Sequence, residues 1–335
     1  MKKILHSVLF SFGLIGFLNA QQLPNSSLGQ WNAFALNPAF AGIEQTMDVR
    51  VGHRQQWVSF EGAPMSSWAT VNGTFGQKPS KPVPYSLHIS DTAMIREIYA
   101  VKKKKVTHGW GFGAFFDRLG AFDRLQASLS YAIHLPITKA INLSLGPQIG
   151  IVNQGIRPDD IYLLDPNDPL YINFIGNGNR ITHFDVGAGA VLYGCSWWVG
   201  YSAQQLVGRR FYFGDQPTDA TLSIHHILQA GNVFKLSDKI DLQGYLFAML
   251  SQDNPILAEA GMKVRFNQTF WGGAAYRYNN SVAATLGVQI TPCIGIAYAF
   301  DYPYSISRAN SFGSHELMLA FRPFNAHKRL NQYLW

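Results

Sequence analysis

The residues best able to do chemistry in this chain sit in spacings that argue against its common forms. Two adjacent pairs stand out, Asp159-Asp160 and His225-His226. A metal needs ligands that converge on one point, whereas neighbours on a β-strand point to opposite faces. His225 and His226 therefore do not share an ion. Asp159-Asp160, with Asp165 and Asp168 nearby, has the oxygen ligands calcium takes, but a polar turn explains the same residues better. No nucleophile elbow, phosphate loop or zinc spacing is present. The expectation is a protein that is not an enzyme and carries no metal or cofactor.

Recognition is the other chemistry on offer. The stretch HRQQWVSFEGAP, residues 53–64, sets Arg54, Gln55 and Gln56 directly before Trp57 and ends on a Gly-Ala-Pro break. It is too polar for a core strand and too aromatic for an idle loop. Strong hydrogen-bonding groups beside aromatic rings suit a strand end where two solvents meet.

The elements around it are consistent with such a boundary. Lys2 and Lys3 precede an apolar run over 4–18 that closes on Ala20. This is the pattern of a secretory signal peptide, residues 1–20, cleaved after Ala20. The run is short for a span, and no basic stop-transfer group follows it. Charged residues make up 14% and aromatics 14% of the chain, with 31 glycines, against a usual charged share of about a quarter. No later run is long and apolar enough for a helical span. Export, low charge and abundant aromatics and glycine fit a transmembrane β-barrel, where alternation averages to neutral hydropathy. The net charge of +7 lies partly in Lys102–Lys105 and in Arg322, Lys328 and Arg329. In an exported chain it reads as a solvated or lipopolysaccharide-facing surface, with no nucleic-acid partner.

Period-two alternation recurs in segments of about ten residues. In HFDVGAGAVLYG, Phe184, Val186, Ala188, Ala190 and Leu192 share one face. In DRLQASLSYAIHLP, Leu125, Ala127, Leu129, Tyr131 and Ile133 do the same. Such alternation is a strand signal. Collected along the chain, it predicts about fourteen strands, starting near Thr46, Ser66, His108, Asp123, Ala140, His183, Ser196, Thr221, Lys239, Ile256, Thr269, Ser281, Cys293 and Ser314. The fold class is thus all-β, a single transmembrane antiparallel barrel over 46–323. A periplasmic segment over 21–45 precedes it and a periplasmic tail over 324–335 follows. A soluble β-sandwich gives no reason for aromatics at strand ends, where Trp57, Trp68, Trp110, Trp197, Trp198, Trp271, Tyr278, Tyr298 and Tyr302 gather and where a bilayer interface favours them.

Long connections over 155–182, 207–220 and 301–313 alternate with tight ones at 136–139, 194–195, 237–238, 267–268 and 291–292. Long loops on one rim and short turns on the other are the outer-membrane pattern. The long 77–107 segment breaks it. Either it is a periplasmic insertion, or it holds a further strand pair that includes YSLHIS. A barrel of this size has a lumen wider than side chains alone fill, so water, inward loops or a peptide must occupy it. Cys195 and Cys293 fall at turns on opposite sides of the ring. At about 4.8 Å per strand, they lie too far apart for a disulfide.

Several local boxes remain: LNPAFAG (36–42), RQQW (54–57) with EGAP, FFDRLGAF (115–122) with YAIHLP, and GSHELMLAF (313–321). In order and spacing, these boxes resemble the PorP/SprF family of type IX secretion outer-membrane proteins over nearly the whole mature chain. The resemblance implies a β-barrel that helps secrete or anchor a large adhesin-like cargo, with a link to gliding motility. It also implies as partners the cargo's C-terminal sorting domain, other type IX secretion components and the lipid bilayer. On that basis Arg54, Gln55, Trp57, Asp117, Arg118 and His315 are the candidate partner-binding residues. Each also has a structural reading. Arg54 pairs with a carboxylate such as Asp117 or Glu61. Asp117, Arg118 and Gly120 form a hairpin turn. His315 shares the outer face with Leu317, Leu319 and Phe321. The competing reading of the same barrel is a passive porin or small-solute channel.

Overall fold

In the computed structural model of the protein, residues 26–44, 46–76, 106–138, 140–161, 180–207, 210–213, 216–221, 223–252, 255–304 and 312–323 are described. Residues 1–25, with the expected signal peptide, the 324–335 tail, most of the 77–107 segment with YSLHIS, and Asp165 and Asp168 lie outside them.

Fourteen antiparallel strands close into one barrel. They are β1 (Asp48–Gln55), β2 (Met65–Thr74), β3 (Thr107–Leu119), β4 (Phe122–Pro136), β5 (Asn142–Ile156), β6 (Arg180–Tyr193) and β7 (Trp197–Gln204) in the first half. After a separate two-stranded hairpin, β8 (Arg210–Phe213) and β9 (Gln216–Thr221), the ring continues. Its second half is β10 (His225–Lys235), β11 (Ile240–Leu250), β12 (Leu257–Phe266), β13 (Phe270–Arg277), β14 (Ser281–Thr291), β15 (Ile294–Pro303) and β16 (Ser314–Phe321). β1 pairs with β16, Gly52 opposite Met318, and this closes the ring. Only the β8–β9 hairpin has no counterpart in the alternation pattern, because it pairs within a connection and not with the wall.

Alternation decides which way each side chain points. On β12, Glu259, Lys263 and Arg265 turn inward and are buried, while Met262, Val264 and Phe266 turn outward and are exposed. The same division runs around the ring, with Leu129, Ile149, Phe184, Leu246, Leu286 and Leu317 all exposed on the outer face. An apolar band of this extent is not tolerated by a monomer in water and is what lipid requires. No described helix is long and apolar enough to cross a membrane.

Not every terminal aromatic belongs to a bilayer girdle. Trp68, Trp198 and Trp271 turn inward and are buried. Each faces a glycine on the neighbouring strand: Gly52 opposite Trp68, Gly231 opposite Trp198, and Gly287 opposite Trp271. A methyl group on Gly231 would stand 2.2 Å from the Trp198 ring, and one on Gly287 2.1 Å from Trp271. The missing side chain is the space the ring occupies, and the pairing fixes register. Tyr298 and Tyr302, by contrast, do face outward and are exposed.

The expected periplasmic placement of 21–45 is corrected for its described part. Ser26–Glu44 lies inside the barrel as a chain of short turns: Gly29–Asn32, Ala33–Leu36 and Pro38–Phe40. Its Trp31, Phe34, Phe40 and Ile43 form the main buried apolar cluster together with inward wall residues such as Trp68, Trp198 and Met318. The physical reason is the width of the ring. Side chains from fourteen strands do not fill the lumen, and burying these rings there removes them from water.

Cys195 and Cys293 lie in the β6–β7 and β14–β15 turns, and no disulfide links them. His225 faces inward, while His226 faces outward and meets Tyr201, with Nδ1 2.8 Å from the hydroxyl. Asp160, at the end of a single turn over Pro158–Asp160, is taken up by Arg157 and Arg118.

Candidate functional site in the barrel lumen

The plug is held at both ends by different chemistry. Near the β1 starting rim, the NPAFAG box lies in a trough of wall glycines. A methyl on Gly109 would come within 2.0 Å of the Ala41 carbonyl oxygen, and one on Gly146 within 2.5 Å of the Ala39 nitrogen. Asn37 is extended before Pro38, as a residue preceding proline must be, with φ −150° and ψ 114°. Its carboxamide works twice. Oδ1 accepts from the Ala39 N–H at 3.0 Å, and Nδ2 donates to the Ala190 and Tyr201 carbonyls on β6 and β7. Ser144 donates to the Ala39 carbonyl at 2.7 Å, and His134 Nε2 lies 2.9 Å from that of Ala41. Gly42 turns the chain out to β1 with φ +76°, its N–H donating to Asn72.

Midway along the plug, Trp31 anchors it. The Arg50 guanidinium stands 4.9 Å from its ring centroid, and Trp271 packs against it at 5.9 Å. Arg50 in turn bonds Asp48 at 2.6 Å. This cation–π contact is desolvated, the setting where such contacts are strongest.

The far end of the plug meets a ladder of buried charges. Glu316, Arg54, Asp301, Arg277 and Glu259 alternate in sign across β16, β1, β15, β13 and β12. Arg54 reaches Glu316 at 3.0 Å and Asp301 at 2.5 Å. Arg277 reaches Glu259 at 2.5 Å and Asp301 at 3.7 Å. Three carboxylates thus face two guanidinium groups, all withdrawn from water. Donors complete the balance. Tyr245 donates to Glu259 at 2.9 Å. Every other added donor comes from the plug: Ser26 Oγ to Glu316 at 2.5 Å, the Ser27 and Leu28 N–H groups to Glu316 at 2.8 and 3.2 Å, and Ser27 Oγ to Asp301 at 2.7 Å. Ser27 Oγ also accepts from Arg54 and Arg277. A buried ionic network is stable only when its lone pairs and protons are matched, and here the plug supplies the match.

The residues expected from sequence do not converge on this site. Arg54 reaches it, with Asp301 and Glu316 as partners in place of the expected Asp117 or Glu61. Asp117 faces inward beside Ser66 and Arg124. Arg118 projects to the rim, 3.4 Å from Asp160. Gln55 falls on the outward side of β1, opposite His315. His315 faces outward, with Nδ1 2.6 Å from the Tyr298 hydroxyl and its ring against Phe300. Trp57 follows β1 with φ +46°, and its N–H donates to Ser314. The next residue, Val58, exchanges backbone bonds with Gly313 and Phe312, extending the β1–β16 seam beyond the strands. Ser26, Ser27, Glu259, Arg277 and Asp301 lie outside the sequence boxes, whereas Glu316 lies within GSHELMLAF. Alternation does place Glu316 opposite the Leu317–Leu319 face, and hence in the lumen.

A closed barrel with an outer apolar band and an internally latched N-terminal segment defines a plugged outer-membrane β-barrel. Residues 18–321 match the family described as Type IX secretion system membrane protein PorP/SprF, and the chain belongs to that family. Comparison with curated proteins finds no match. Among solved structures, similarity extends to the toluene transporter TbuX of Ralstonia pickettii, at 11% identity over 87% of this chain and 93% of that one, TM-score 0.45. It extends also to the monoaromatic hydrocarbon channel CymD, at 10% identity over 91% and 94%, TM-score 0.48. A Pseudomonas aeruginosa FadL homologue is similar at 10% identity over 90% and 95%, TM-score 0.43.

Proposed function

We propose that the protein is a non-enzymatic outer-membrane component of type IX secretion that helps deliver or anchor a large adhesin-like cargo at the cell surface. Gliding motility is one process such a cargo would serve. Family membership supports the secretion role. The observation that carries the reading beyond a generic barrel is the plug, which lies in the lumen and is bonded to the wall at both ends. A passive porin needs an open aqueous path; this lumen is stopped by the protein's own chain. The barrel acts as a fixed platform in the bilayer, its long-connection rim toward the surface. Partners in this reading are the cargo's C-terminal sorting domain and other secretion components. Arg54 and Asp117 act from the lumen side, while Gln55, Trp57, Arg118 and His315 present the rim and outer wall.

Affinity purification from native membranes with mass spectrometry tests the proposal. Recovery of a large surface protein together with type IX components is the expected result. Sugar-permeable liposomes and a barrel that purifies alone would favour the porin.

A further inference from the structure

Strand β6 outruns one of its two neighbours. It pairs with β5 over its whole length, from Arg180 opposite Gly155 to Tyr193 opposite Asn142. On the other side, its ladder with β7 stops at Ala188, which faces Ala203. The ring is closed below this point. Above it, residues 180–187 keep one edge unmatched, roughly 26 Å of strand at its usual rise. That run starts at the rim of the long connections.

The fork between β6 and β7 is held by specific groups. Gln205 has φ +59° and bends the chain away from β6. The last main-chain bond across the fork runs from the Leu206 N–H to the Val186 carbonyl at 2.9 Å. The Val186 N–H is taken by Asp185 Oδ1 at 2.8 Å, and the same carboxylate accepts from the Gln205 and Val207 N–H groups. The chain then enters the β8–β9 hairpin, which bonds to itself and not to the wall.

Alternate residues of a strand turn their N–H and C=O to opposite edges. Val186 addresses the β7 side, so Phe184 and Thr182 do as well. Among the described residues, nothing on that side bonds the N–H or C=O of either one. The run is nevertheless fixed from the β5 side. Asn153 Nδ2 donates to Thr182 Oγ1 at 2.6 Å, Arg180 Nε donates to Asn153 Oδ1 at 2.9 Å, and Arg180 pairs with Asp123 at 2.9 Å. Its sequence, RITHFDVG, holds neither the proline nor the lysine that commonly blunts an edge. Phe184 is 74% exposed on the outer face, beside exposed Val186 and with exposed Ile151 opposite on β5. A rigid row of free donors and acceptors beside apolar side chains is what an added strand requires, and lipid cannot match it.

The geometry assigns the open edge of β6 as a strand-addition site for an extended segment of a protein partner, bonded through its main chain to Phe184 and Thr182. The proposal rests on the secretion reading above for the source of that segment, a cargo or another secretion component, and names where it docks. A second copy of the barrel would bring its own β8–β9 hairpin, which leaves from the same fork, into the notch; a single extended segment brings no such bulk.

Two measurements on the full-length protein in detergent test the site. In residue-resolved hydrogen exchange, the Phe184 and Thr182 amides should exchange much faster than those of His183 and Asp185, which face β5. Equal protection would overturn the proposal, because the protein's own chain or a second copy would already cover the edge. The second measurement is anisotropy of a fluorophore-labelled, end-capped octapeptide of alternating threonine and valine. Saturable binding is expected. Phe184→Pro removes an N–H that takes no part in the wall's ladder and should weaken binding at least tenfold. Phe184→Leu keeps the main chain and should bind within about threefold of the unaltered protein. The same peptide methylated on every backbone nitrogen should not bind, which decides the matter if the proline variant fails to fold. No binding by the unaltered protein, equal binding of the methylated peptide, or a folded Phe184→Pro that binds normally would overturn the site. A dimer in light scattering that Phe184→Pro disperses would overturn it in favour of self-pairing. The secretion reading is judged separately, by native co-purification. If Phe184→Pro recovers the same partners as Phe184→Leu, the edge proposal fails and the secretion role stands. If the unaltered protein recovers none, the secretion role itself fails.

Discussion

Ser26 Oγ donates to Glu316 Oε1 at 2.5 Å across 290 residues of sequence, joining the plug to the final strand of the barrel. The same carboxylate accepts from the Ser27 and Leu28 N–H groups and from Arg54. One side chain on β16 therefore collects the start of the plug and the end of β1.

Ser26→Ala with Ser27→Ala removes two hydroxyl donors from the ladder, and Glu316→Gln removes the charge they address. Hydrogen bonds to charged groups contribute roughly 1.5–3 kcal/mol each. Both variants should therefore populate an unlatched plug. In planar bilayers the unaltered protein is expected to be nearly silent and the variants to show discrete current steps. Variants as silent as the parent would mean that the glycine trough alone holds the plug.

Arg277 and Glu259 are buried partners at 2.5 Å. Arg277→Met alone strands Glu259 and should cost about 3–5 kcal/mol, whereas replacing both by apolar residues of similar volume should cost far less. Denaturant unfolding in detergent micelles, read by tryptophan fluorescence, gives the two values. A double replacement as costly as the single one would count against the balance described.

Gly231→Ala drives a methyl group into the Trp198 ring and should destabilise by roughly 1–3 kcal/mol, the range for overpacking. Adding Trp198→Phe, with its smaller ring, should recover part of the loss. Such non-additivity is the mark of direct contact. Additive effects in a double-mutant cycle would show that the pair does not set register.

Asn37→Ala deletes the carboxamide that caps the Pro38–Phe40 turn and ties it to β6 and β7. Loss of such a cap costs about 0.5–2 kcal/mol. Hydrogen exchange should rise over 33–42 while the wall strands stay protected. Faster exchange throughout the barrel would make Asn37 a residue of global stability.

The wall of this protein is legible in its sequence because lipid on one side and a polar lumen on the other enforce strict alternation. That constraint acts on every residue, so β3, β4 and β6 announce themselves, and Glu316 falls opposite Leu317 without reference to anything else. The plug obeys no such period. Its residues are apolar because of what surrounds them in three dimensions, and a run such as WNAFALNPAF gives no sign of facing a wall. The inward turn of Trp198 and Trp271 was equally hidden, since an aromatic residue near a strand end fits either face until the opposing glycine is known. The partners of Arg54 lay beyond reach for a related reason. Asp301 and Glu316 are distant in sequence and become neighbours only when β1 meets β16 and β15.

The placement of Ser26–Glu44 also constrains the order of events during assembly. The segment is made before β1, yet the carboxylates that fasten it, Asp301 and Glu316, belong to β15 and β16, the last strands made. It must already be within the curling sheet when the β1–β16 edges meet, because a finished ring leaves no lateral gap for its bulky rings to pass. Fastening and seam formation are thus one late, long-range event: a barrel that has not sealed has no lock, and one that has sealed carries its stopper from birth.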